Sequence, residues 1–167
     1  MTALKSRKTT RLKVVDYDCN HVIFLTICTK DRRCTLSSVV GTGVLDGPQM
    51  ELSQYGKIAD KYINQLNDFY ENLSVESYVI MPNHIHMVLF LEEDAAGDSR
   101  RPTLMDVVCA YKSLTTRACK KEQPIEKLFQ TSFYEHVIRN RNDYLEIAEY
   151  ILENPCKWEL DKLYSKE

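Results

Sequence analysis

Several things are missing from this 167-residue chain, and each absence excludes a class of protein. No apolar run approaches the ~20 residues needed to cross a bilayer, so no membrane partner is expected. The six cysteines (Cys19, Cys28, Cys34, Cys109, Cys119 and Cys156) form no CxxC pair and no metal-ligand spacing. With no signal peptide in view, they read as reduced, structural thiols of a cytoplasmic, nucleoid-associated protein. Cys28 and Cys109 fall within apolar patterns that predict packing. There is no P-loop motif, hence no sign of chemistry driven by nucleotide hydrolysis. No internal repeat or low-complexity tract interrupts the chain. Neither sign of charge dominates, the net being −2, which weighs against a uniformly basic surface. What is present, 44% hydrophobic content, predicts one domain over residues 1–167 with a real core.

The most informative segment is Tyr78-Val79-Ile80-Met81-Pro82-Asn83-His84-Ile85-His86-Met87-Val88-Leu89. Its length and β-branched content are those of strands, and side chains on a strand alternate faces with period two. His84 and His86 therefore point the same way, while Ile85 and Met87 face the other side and anchor the strand in a core. Two imidazoles on one strand are half of a metal site, and an ion held there would polarise a phosphate. A nucleotide hydrolase with three alternating histidines is excluded, because the next position in register is Val88.

A second segment, residues 142–155, carries Leu145, Ala148, Ile151 and Leu152 at helical spacing, with Asn142 or Asp143 available as cap and Pro155 as stop. Tyr150 and Asn154 stand four apart, one turn from each other on one face. A phenol beside an amide oxygen is a candidate nucleophile with a further metal ligand. The plainer alternative is an amphipathic helix whose tyrosine packs on the core. Tyr144, Tyr134 and Tyr111 compete for the nucleophile's role.

The rest of the layout follows from periodicity. Residues 21–29 predict a strand, and 39–52 a small hairpin around Asp46-Gly47-Pro48. Residues 53–72 predict an amphipathic helix capped by Ser53, and 75–81 and 84–91 two strands joined at Pro82-Asn83. A polar, mobile loop is expected at 92–102, then a helix over 103–121 and a last strand over 130–137. Strand, helix, two strands, helix, strand is the ferredoxin-like α+β arrangement, an antiparallel sheet with helices packed against it.

The ordered set of segments resembles a known family. Phe24-Leu25-Thr26-Ile27-Cys28-Thr29-Lys30-Asp31-Arg32-Arg33 comes first, followed by the histidine segment, then Tyr111-Lys112-Ser113 with Thr116-Arg117. Phe133-Tyr134-Glu135-His136-Val137-Ile138-Arg139-Asn140 then leads into the helix that ends at Glu153-Asn154-Pro155. In this order they are similar to the single-tyrosine (HUH) transposases, and most to the REP-associated tyrosine transposases, from about Arg7 to about Trp158. The resemblance implies the same ferredoxin-like fold, His84 and His86 as metal ligands, Asn154 as a third, and Tyr150 as nucleophile. It further implies Mg2+ or Mn2+ as cofactor and single-stranded hairpin DNA as partner. The implied reaction is cleavage and rejoining of that DNA through a 5′-phosphotyrosine. Whether such a protein acts as a monomer or a homodimer stays open.

Basic residues cluster despite the net charge. Lys5, Arg7, Lys8, Arg11 and Lys13 mark a flexible arm at residues 1–13, and Lys112, Arg117, His136 and Arg139 are candidate DNA contacts. His136 equally suits a role in orienting the tyrosine helix. Two rival functions share these residues: a domesticated hairpin-DNA-binding protein that does not cleave, and a metal-dependent phosphoesterase in which Tyr150 is structural.

Overall fold

The computed structural model describes residues 20–41, 48–92 and 102–165. The basic arm expected at 1–13 lies outside the described residues, as does the loop expected at 92–102 apart from its two ends. The strand β1, Asn20–Cys28, sits inside the sheet, and its side chains from Val22 to Ile27 are buried on both faces. A hairpin of β2 (Ser37–Val40) and β3 (Gln49–Leu52) leads into helix α1, Gln54–Phe69. Strands β4 (Leu73–Ile80) and β5 (His84–Glu92) follow, then α2 (Leu104–Glu122), β6 (Tyr134–Ile138) and α3 (Arg141–Glu153). The main sheet has the order β4-β5-β1-β6, with each neighbouring pair antiparallel. Helix α1 joins β1 to β4 across β5, and α2 joins β5 to β6 across β1. This is the ferredoxin-like arrangement expected from the sequence, with the β2–β3 hairpin inserted before α1.

Strand alternation divides the chemistry from the core. Leu25, Ile27, Ile85, Met87 and Leu89 pack on one face with Ala59, Ile63 and Leu66 of α1 and Val107, Val108 and Tyr111 of α2. Ile85 and Met87 thus anchor β5 as the sequence predicts. On the opposite face Val22, Phe24, Val88 and Ile138 form a smaller cluster with Ile151, against which Tyr144 and Ile147 of α3 also pack. Ile151 is the one fully buried side chain of α3.

Helix starts follow local chemistry. Ser53 caps α1 by accepting from Gly56 N–H at 3.1 Å, and Thr103 forms a capping box with Asp106 on α2. The cap of α3 is Asn140, whose side chain accepts from Asp143 N–H at 3.0 Å; Asn142 and Asp143, named from the sequence, fall inside the first turn. The last strand is shorter than predicted; Gln130 N–H still bonds Cys28 O of β1, and Lys112 Nζ donates to the carbonyls of Gln130, Thr131 and Ser132 before β6 begins at Tyr134. Gly56 lies against the β2–β3 entry so closely that a Cβ would sit 2.0 Å from Leu36 O. Gly56→Ala is therefore expected to lower stability by about 3 kcal/mol, roughly a 10 °C drop in Tm by calorimetry.

Candidate metal centre and nucleophile

His84 and His86 project from β5 onto the α3 face, 0% and 3% exposed, with ring centroids 4.4 Å apart. Each is held by a different neighbour. His84 Nδ1 lies 2.8 Å from Asn83 Oδ1, and Asn83 Nδ2 donates to Leu163 O at 2.8 Å. The amide is thereby oriented with its oxygen toward the ring, so Nδ1 carries the proton and the Nε2 lone pair is free. His86 Nδ1 pairs with Thr26 Oγ1 across the β1–β5 ladder at 2.9 Å, and its ring stacks on Phe24 at 5.0 Å.

Helix α3 brings Tyr150 and Asn154 over the histidines. Tyr150 Oη is 3.3 Å from His86 Nε2, and the phenol donates to Asp161 Oδ2 at 2.8 Å. Asn154 is buried; its Nδ2 donates to the same carboxylate oxygen at 3.1 Å. Of the buried side-chain atoms without a hydrogen-bond partner among the described residues, two belong to this site, His84 Nε2 and Asn154 Oδ1. A buried imidazole nitrogen and amide oxygen left bare near a second imidazole are donors of the kind a divalent cation takes, and such an ion would offset the otherwise costly burial of both. His84, His86 and Asp161 offer ligand atoms that all lie within 4.8 Å of one another.

Burial sets the protonation of these groups. It lowers His84 to about 4, and burial together with the neighbouring His84 lowers His86 to about 3, so both rings are neutral near pH 7. Burial, then the hydrogen bond and charge of Asp161, push Tyr150 up to about 12. Burial would raise Asp161, but hydrogen bonds from Leu163 N–H, Tyr150 and Asn154 and the field of His84 hold it below the ordinary carboxyl value. The folded state thus binds fewer protons at the two histidines than the unfolded chain between about pH 4 and 6.5, and stability falls as pH falls through that window. Metal-free protein melted in EDTA is expected to lose about 2 kcal/mol per pH unit near pH 5.

Beside the tyrosine lies a cavity of about 350 Å³ lined by Tyr150, Asn154, Asp161, Glu149, Glu153 and Lys157. On the α1/α2 side a second cavity, of about 360 Å³, is lined by Lys112, Arg117, Lys120 and Lys127 without an acidic residue.

The other sequence candidates separate clearly. Tyr111 is buried and Tyr144 packs in the smaller cluster, while Tyr134 is exposed on β6. Lys112 spends its three protons on three carbonyls and lies over the Phe133 ring at 5.4 Å, as a brace of the segment before β6. Arg117 donates to Ser113 and Arg139 is exposed. His136 Nε2 contacts Asp143 Oδ2 at 2.9 Å, tying β6 to the start of α3. Cys109, expected to pack, is exposed beside the basic cavity. Two residues escaped the sequence reading. Asn83 looked like a turn residue only, and Asp161 follows a 3-10 turn, Trp158–Leu160, that is held by Trp158 against His84 and Tyr164.

Comparison with known proteins gives the following. No family model matches the chain. An uncharacterized protein of Haemophilus influenzae is 30% identical over 173 residues, covering 95% of this chain and 93% of its own. The REP-associated tyrosine transposase of Escherichia coli K12 is 28% identical over 109 residues, which are 65% of this chain and 59% of that protein. A solved REP-associated tyrosine transposase bound to a REP hairpin has the same fold, with a TM-score of 0.60 at 23% identity over 82% of this chain and 67% of that one.

Proposed function

We propose that this chain, which belongs to one family with the Haemophilus influenzae protein and is a relative of the REP-associated tyrosine transposases, is a metal-dependent DNA strand transferase. The observation that carries the reading is the phenol of Tyr150 standing 3.3 Å from His86 Nε2, over two buried, neutral imidazoles and beside the buried amide of Asn154. Every one of these groups comes from a single chain. A divalent cation, Mg2+ or Mn2+, held by His84, His86 and Asn154 would neutralise charge on a scissile phosphate and polarise it.

The chain's own residues do the rest. Tyr150 stands on a helix that holds its ring edge-on to Phe24 and His86, so the phenolic oxygen is presented at a fixed place above the histidines. Attack by that oxygen forms a Tyr150–phosphate bond and breaks the bond to the 3′-oxygen. The phenol loses one proton and the departing oxygen takes one up, so the charge balances. The DNA 3′ of the cut stays on Tyr150 as a 5′-phosphotyrosine, and attack by another 3′-hydroxyl rejoins a strand with no ATP. Thr26 and Asn83 hold the two rings at Nδ1 and so fix their orientation. The basic cavity at α2, free of acids in its lining, suits the backbone of a bound strand, with Arg117 on its wall. That a structural neighbour is bound to a REP hairpin supports hairpin DNA as the substrate class.

The test uses single-stranded hairpin DNA from repeats flanking the gene, labelled at either end and incubated with Mn2+ or Mg2+. A denaturing gel is expected to show a protein adduct carrying the 3′ label, absent with EDTA. DNA that is bound but neither cut nor linked would leave the domesticated binder. Turnover of small phosphoesters without an adduct would leave the phosphoesterase.

A further inference from the structure

Asp161 stands where the metal reading and the nucleophile meet. Its Oδ2 receives the Tyr150 hydroxyl at 2.8 Å and Asn154 Nδ2 at 3.1 Å, while its Oδ1 is fixed by Leu163 N–H at 2.6 Å. Trp158, buried against His84, holds the turn that delivers it. Its carboxylate lies in one cluster with the ligand nitrogens of His84 and His86. His84 Nε2 has no hydrogen-bond partner, and neither has Asn154 Oδ1, on the other side of the amide from the Nδ2 that meets Asp161.

We propose that Asp161 is an additional, anionic ligand of the metal centre, and that the ion and the Tyr150 hydroxyl compete for its Oδ2. This rests on the metal-dependent reading above and adds a residue to it. Two neutral imidazoles and an amide give a site with no charge of its own, whereas a carboxylate gives it −1 and an oxygen of the kind Mn2+ and Mg2+ favour. The same oxygen cannot serve a cation and accept two hydrogen bonds with equal strength. Occupation of the site therefore detaches Asp161 from the phenol and from Asn154 Nδ2. Asn154 is then free to present its bare oxygen by an amide turn, and the phenol to meet a phosphate. In the metal-free protein the nucleophile is tied down; the ion unties it.

The experiment is a Mn2+ titration of the full chain, followed by the electron paramagnetic resonance signal of free Mn2+, for wild type, Asp161→Asn and Tyr150→Phe. Asp161→Asn keeps the shape and the Oδ1 acceptor for Leu163 N–H but loses the charge, and is expected to weaken Mn2+ at least tenfold. Tyr150→Phe removes the competitor and is expected to bind Mn2+ more tightly than wild type, a gain that a purely structural carboxylate would not produce. Asp161→Asn binding within twofold of wild type would overturn the inference, whatever the adduct assay gives. Failure of Tyr150→Phe to tighten binding would overturn the competition. If Mn2+ binds as expected yet no DNA adduct forms, the ligand set stands and the strand-transfer reading falls.

Discussion

Tyr150→Phe is expected to leave no covalent adduct with hairpin DNA and to cut strand cleavage by at least about 10⁴-fold, the scale on which loss of a covalent nucleophile usually registers. The substitution is well posed because the ring has its own supports. Phe24 and His86 meet it edge-on at 6.2 and 5.2 Å, and a phenyl group keeps both contacts. What disappears is one hydrogen bond to Asp161 and one contact with His86, at a stability cost of about 1 kcal/mol. DNA binding should survive, so a bound but unlinked complex is the expected gel pattern. Tyr144→Phe is the control. Tyr144 packs in the cluster under α3, away from the histidines, and its variant should form adduct within twofold of wild type. An adduct that persists in Tyr150→Phe and vanishes in Tyr144→Phe would reverse the assignment.

The second large effect is expected at His84. His84→Ala removes a buried nitrogen that has no hydrogen-bond partner in the protein; with His84 as a proposed ligand, Mn2+ affinity should fall at least a hundredfold, beyond what is typical for residues that only orient a ligand. Adduct yield at fixed Mn2+ should fall with it by about 10³-fold or more. The protein will also be less stable at neutral pH, by about 2–4 kcal/mol, because a fully buried ring leaves a cavity and Asn83 Oδ1 loses its donor. One consequence runs the other way. With a single depressed histidine left, the loss of stability on acidification in EDTA should become about half as steep. Calorimetry at pH 5 and pH 7, with and without Mn2+, separates the three effects. A variant that still gains Tm from Mn2+ as wild type does would remove His84 from the site.

Much of this was legible in the chain because strand periodicity is a local rule. Ile85 and Met87 pointing into the core forces His84 and His86 to the other face, with no tertiary knowledge needed. The four-residue spacing of Tyr150 and Asn154 places them on one helix face by the same logic. The cap of α3 was harder, since Asn140, Asn142 and Asp143 all have capping side chains and only the end of β6 at Ile138 decides among them. The bracing role of Lys112 was not legible, because its three carbonyls lie 18 to 20 residues downstream. Asp161 and Asn83 are long-range in the same sense. Asp161 reaches the histidines through a turn after Pro155, and Asn83 gains its role through a carbonyl 80 residues away.

The single buried side chain of α3 has a mechanical consequence. The two histidines stand on β5, inside a four-stranded sheet that two helices cover on its other face, whereas the tyrosine rides on a helix fastened mainly by Ile151. Amide protons of α3 should therefore exchange with solvent through small openings that leave β5 closed. On the function proposed above, a DNA strand joined to Tyr150 would hang from the softer part of the molecule. Its phosphate would have slack to re-aim at an incoming end while the histidine half stays rigid, much as a hinged arm swings over a fixed anvil.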